Sequence, residues 1–116
     1  MPHAVIRGAI DLPRYAREYE PLLDRRGNDV LRADGLFLAG DGRTVLLDAV
    51  VVEAGRKSTF YVKISASDRG SATVRVDPLT RVERTDGVKA LVGLVARDLL
   101  RRTAGAEVEA TNLVLP

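Results

Sequence analysis

Asp34, Asp48, Lys63 and Arg75 are the residues whose types and spacing best suggest chemistry. If Gly40-Asp41-Gly42 and Asp68-Arg69-Gly70 each close a three-residue hairpin loop, and Gly55-Arg56 forms a type II′ turn, these side chains make one row across neighbouring strands. Two opposed carboxylates repel, which raises the pKa of one of them, and the adjacent lysine and arginine would clamp a substrate. That row suits a small carboxylate-dependent hydrolase or isomerase with Asp34 and Asp48 as acid and base, and Tyr61 lies beside it. The same residues also make an ordinary solvated salt-bridge ladder, each pair contributing roughly 0.2–1 kcal/mol. The ladder is the favoured reading, and the balance leans away from an enzyme.

Other chemistries lack their required residues. There is no cysteine, so disulfide scaffolds, thiolate metal sites and thiol nucleophiles are excluded. His3 is the single histidine, which removes most imidazole-based machinery. No metal site and no cofactor is expected. Gly40-Asp41-Gly42 resembles a phosphate-binding glycine loop only superficially, because a strand rather than a helix follows it. It is expected to be a hairpin turn.

Lys and Arg number 18 against 16 Asp and Glu, giving a net charge of +2. The charge is nearly balanced overall but uneven along the chain, with an excess of Lys and Arg between Arg56 and Arg102. Candidate phosphate contacts are Arg56, Lys57, Lys63, Arg69 and Arg75 on the strands, and Arg97, Arg101 and Arg102 on a C-terminal helix. The helix arginines have a competing role, since cations in a last turn complement the helix dipole. Of Tyr15, Tyr19, Phe37, Phe60 and Tyr61, only Tyr61 is expected as an exposed platform on the sheet. Tyr15 and Tyr19 are expected in the core with their hydroxyls bonded.

The elements that must position these residues follow from periodicity. At 116 residues, with 46% hydrophobic and 29% charged, the chain has the make-up of one domain over residues 1–116. Alternation predicts a strand over Ala4 to Leu12. A short helix starts near Pro13, carries Tyr15, Ala16 and Tyr19, and ends by Pro21, followed by a polar connection over Asp24 to Asp29. Four strands come next, Val30 to Ala39, Arg43 to Ala54, Thr59 to Ser67 and Ser71 to Val76. A three-residue loop at Asp68-Arg69-Gly70 sets Ile64 beside Val74 and Val62 beside Val76.

A helix from about Asp86 to Thr103 presents Val88, Leu91, Val92, Val95 and Leu99 as a stripe, with Thr85 or Asp86 to cap it and Gly105 to end it. Gly93 within it implies close approach of another backbone, from the sheet or a symmetry-related helix. A last strand covers Val108 to Leu115. The expected fold class is α+β, a mainly antiparallel sheet in the order β-α-β-β-β-β-α-β with helices packed on one face. No basic stretch followed by an apolar run opens the chain, and no apolar window is long enough to span a bilayer, so a cytoplasmic location is expected.

One segment asks for more than two layers. Leu46, Leu47, Ala49, Val50, Val51 and Val52 make their strand apolar on both faces, and Leu36 with Leu38 extends the second face. Sheet curvature, the terminal segments, a ligand cavity or a second subunit could cover it; contiguous apolar area is uncommon on monomers, and a symmetric dimer is favoured. The leading functional expectation is therefore a non-enzymatic binding or assembly module, a homodimer using Leu36, Leu46, Val50 and Val52, with Val50→Asp breaking association without unfolding the monomer. The alternative is a nucleic-acid-binding accessory protein using Lys63, Arg75 and neighbouring basic residues of a sheet and helix surface, with Tyr61 as its one exposed platform.

Overall fold

The structure, a computed structural model, describes residues 1–116. It contains β1 (His3–Arg7), α1 (Leu12–Glu18), β2 (Leu22–Arg26), β3 (Asp29–Leu38), β4 (Thr44–Glu53), β5 (Arg56–Ala66), β6 (Ser71–Val76), α2 (Asp86–Arg102) and β7 (Glu107–Thr111). All strands pair antiparallel in one seven-stranded sheet of order β2-β3-β4-β5-β6-β1-β7. The protein is thus a mixed α/β chain dominated by an antiparallel sheet. No helix is long and apolar enough to cross a membrane.

Local chemistry explains where the helices start. The Asp11 carboxylate accepts from the Arg14 backbone N–H at 3.0 Å, and a proline sits in the first turn of α1, where its missing N–H leaves no donor unpaired. Thr85 caps α2 by accepting from the Val88 N–H at 3.2 Å. A second cap comes from the sheet: Glu53, at the end of β4, accepts from the Gly87 N–H at 2.8 Å and from the Thr85 hydroxyl at 2.5 Å. A carboxylate at this end also faces the positive pole of the helix dipole.

One cluster of buried side chains joins Leu12 and Tyr15 of α1 and the α2 stripe Val88, Leu91, Val92, Val95 and Leu99 to alternate residues of the sheet. The sheet residues include Ala4, Ile6, Leu31, Ala33, Leu47, Val51, Val62, Ile64 and Val74. Period-two alternation places the intervening residues on the opposite face of the sheet.

Several expectations change. The first strand ends at Arg7 rather than Leu12, because the chain leaves the ladder at Gly8, whose φ is 156° and whose N–H bonds the Gly70 carbonyl. The segment expected as a polar connection instead contains β2, which pairs with β3 through a tight turn at Gly27-Asn28. The element order therefore gains one strand. β2 is an edge strand with Leu22 packed toward the cluster, Leu23 exposed and three charged residues after them, so its composition resembles a loop. β7 ends at Thr111, and the tail beyond it passes over α2 at Gly93, where an added Cβ would lie 3.1 Å from the Val114 carbonyl oxygen. The close approach inferred for Gly93 is to this tail.

The hairpins decide the registers. Asp68-Arg69-Gly70 closes as expected, with Ser67 bonded to Ser71 and Val62, Lys63 and Ile64 facing Val76, Arg75 and Val74. The β4–β5 turn is Ala54-Gly55, both at positive φ (49° and 75°), one residue earlier than Gly55-Arg56. The β3–β4 connection pairs Leu38 with Val45, so it is longer than a three-residue loop. An irregularity between Ala33 and Leu36 absorbs the difference and restores the pairing of Arg32 with Val50.

Candidate functional site

These registers determine what stands on the sheet face opposite the buried cluster. One row crosses five strands as Phe37, Leu46, Lys63, Arg75 and His3. The next contains Thr44, Ser65, Thr73 and Val5. On the other side Asp48 faces Tyr61, and beyond it Arg32, Val50 and Thr59 align.

The expected row of Asp34, Asp48, Lys63 and Arg75 does not form in that register. Moving the β4–β5 turn by one residue moves each partner by two, so Lys63 faces Leu46 and Asp48 faces Tyr61. Asp34 lies in the β3 irregularity and is ion-paired to Arg32 at 3.1 Å. Only the Lys63–Arg75 half of the row is brought together.

The apolar set changes on β3. Leu46, Val50 and Val52 stand on the face away from the cluster, as expected from alternation within β4. Leu36 and Leu38 do not join them. They pair with Leu47 and Val45 on the cluster side, because the β3 irregularity reverses the alternation after Ala33. Phe37 takes their place and is 57% exposed. Tyr61 is exposed on this face, whereas Val50 is 7% exposed within the single chain. Aspartate at Val50 would therefore bury a charge and unfold the monomer, which makes it an unsuitable probe of association.

Lys63 and Arg75 are half-buried and directly opposed, the arrangement in which like charges destabilise a sheet. Neither is ion-paired; the carboxylates in salt bridges are engaged by Arg7, Arg14, Arg26, Arg32, Arg43 and Arg102. Arg75 donates through one guanidinium nitrogen to the Met1 thioether at 3.4 Å, a weak acceptor. His3, across from Arg75, places Nδ1 3.0 Å from the Met1 carbonyl oxygen.

Of the helix arginines, Arg102 is committed to structure. It donates to Asp98 at 3.1 Å and to the Glu18 carbonyl at 2.7 Å, joining α2 to α1. The same Asp98 accepts from the Tyr15 hydroxyl at 2.7 Å, and the Tyr19 hydroxyl donates to the Ala33 carbonyl at 2.5 Å. Both tyrosines thus fill structural roles, with ring centres 5.8 Å apart. Asp98 and Arg102 stand at the i,i+4 spacing of a helix ion pair, but sequence periodicity contained no signal for the Tyr15–Asp98 bond or for the Glu53 cap. A separate recess of about 300 Å³ lies between the start of α2 and the tail, lined by Arg26, Asp86, Lys89 and Asn112 among others.

Compared with protein-family models, with curated proteins and with solved structures, the chain matches none. The class defined by fold and site together is a small mixed α/β protein whose antiparallel sheet presents apolar and cationic residues side by side.

Proposed function

We propose that this protein is a non-enzymatic binding and assembly module that pairs with a second copy of itself through the sheet face opposite the buried cluster. In this reading the molecule is a single two-layer α+β domain, with both helices packed on the other face. The observation that carries it is Phe37, more than half exposed and directly across from Leu46, with Tyr61 also exposed on this face; the exposed Asp48 separates Leu46 from Val50 and Val52 along β4. Large apolar side chains grouped on one face are the usual mark of an interaction surface, and a closed twofold arrangement would cover both copies with one self-complementary patch.

The probe is Phe37→Asp. Phe37 is exposed in the single chain, so a charge there is hydrated in the monomer and desolvated only in the dimer. Sedimentation velocity should give a dimer for the parent and a folded monomer for the variant, which should melt cooperatively at a midpoint lowered by the association it has lost and no longer dependent on concentration. A parent that remains monomeric across the micromolar range would remove the basis of the proposal.

A further inference from the structure

We propose that Lys63, Arg75, Ser65 and Thr73 form a binding site for a phosphate group. The site lies on β5 and β6, on the same sheet face as the apolar residues of β3 and β4 and next to them, with Lys63 directly across from Leu46.

Three features meet there. Lys63 faces Arg75 directly, so two positive charges are held together at a cost that an interposed anion would reverse. Their hydrogen-bonding capacity is almost unused, since the only acceptor on the Arg75 guanidinium is the Met1 sulfur. Ser65 and Thr73 form the adjacent pair on the same face, about 7 Å further along the strands. Their hydroxyls make no hydrogen bond within the protein, whereas those of the neighbouring Ser67 and Ser71 bond each other at 2.8 Å.

The result is a quadrilateral with two cationic and two hydroxyl corners. A tetrahedral oxyanion offers several acceptors at once, and charged donors around it make short, strong bonds. His3 stands across from Arg75 on β1. Two acids flank the cationic pair in register, both on the side away from Ser65 and Thr73: Asp77, two residues beyond Arg75 with its N–H bonded to the Tyr61 carbonyl, and Asp48, diagonal to Lys63 through Tyr61 on the neighbouring strand. Asp77, next to β6, is buried and turned to its own loop, where it accepts from the Leu79 N–H. No carboxylate therefore occupies the quadrilateral.

The phosphate group can be free or part of a single-stranded nucleic-acid backbone. Exposed Tyr61, two residues before Lys63 on the same face, would give a neighbouring base a ring to stack on.

The test is calorimetric titration with inorganic phosphate and pyrophosphate, alongside fluorescence anisotropy with a short labelled oligothymidylate at low and raised salt. It is run on the parent, on Lys63→Ala, Arg75→Ala and the control Arg17→Ala, an exposed arginine of α1, and again in the Phe37→Asp background so that the monomer is covered. Saturable binding should occur and fall about tenfold or more in Lys63→Ala and Arg75→Ala while Arg17→Ala is unaffected. Each site variant relieves the like-charge apposition and should melt no lower than the parent, so lost binding will not be lost folding. Binding of phosphate or pyrophosphate alone assigns the site to a free anion. Binding of the oligonucleotide, with a salt slope reduced by about one per cation removed, assigns it to the phosphodiester backbone. No saturable binding of any probe at low salt, or binding that survives both substitutions, overturns the proposal.

Discussion

Replacing Gly87 with alanine should destabilise the protein by about 2–4 kcal/mol, the combined scale of overpacking and of lost charge-assisted hydrogen bonds. A Cβ at this position would overlap the Glu53 carboxylate and lie 2.7 Å from Val51 Cγ1. The glutamate must then withdraw from the Gly87 N–H and the Thr85 hydroxyl, or the first turn of α2 must move off β4. Alanine's better helix propensity returns less than about 1 kcal/mol, so the loss prevails. A double-mutant cycle separates this contact from a general intolerance. Glu53→Ala alone should cost about 1–2 kcal/mol through the cap, and in its background Gly87→Ala should cost clearly less than in the parent. Chemical denaturation of the four proteins measures this, and equal cost of Gly87→Ala in both backgrounds would refute the contact.

The Glu53–Gly87 contact also shows what a sequence does not display. Its partners are 34 residues apart, and those of the Tyr15–Asp98 bond are 83 apart, so no local spacing links them. By contrast, the meander strands were legible because alternation determines their faces. The contrast between fold and site has one cause. A two-residue turn placed one position late, Gly55-Arg56 for Ala54-Gly55, shifts cross-strand partners by two and leaves every side chain on its correct face. Core membership of Val62, Ile64 and Val51 survives that error, whereas the charged row does not, because it depends on which residue stands opposite which. The β3 irregularity has the reverse effect: it changes parity itself, sending Leu36 inward and Phe37 outward. β2 was illegible for another reason. An edge strand with Leu23 exposed and aspartate and arginines following lacks the apolar alternation of an inner strand, and the Gly27-Asn28 dipeptide was its only sharp signal.

Stability should fall steeply as pH rises above 10, and Tyr15 should account for much of the fall. Burial is the largest cause of the upward shift in the Tyr15 pKa, followed by the charge of Asp98 and the hydrogen bond to it, and the folded phenol stays protonated well beyond the ordinary range. Burial likewise pushes Tyr19 up to about 12. The unfolded tyrosines titrate near 10, so below that pH both states are protonated and the contribution is fully present. Above it the unfolded chain releases protons that the folded chain retains, and the unfolded state then binds fewer protons, so stability falls with rising pH. The slope from Tyr15 alone approaches about 1.4 kcal/mol per pH unit, and Tyr19 adds to it through pH 12. Tyr15→Phe should therefore cost about 1 kcal/mol at pH 8, where the hydroxyl bond to Asp98 is lost, yet flatten the alkaline limb. The two stability curves should cross, with the phenylalanine variant the more stable near pH 11. Urea unfolding of both proteins from pH 8 to 11.5 tests this, and parallel curves would show that Tyr15 is not the group whose ionisation opens the α1–α2 contact.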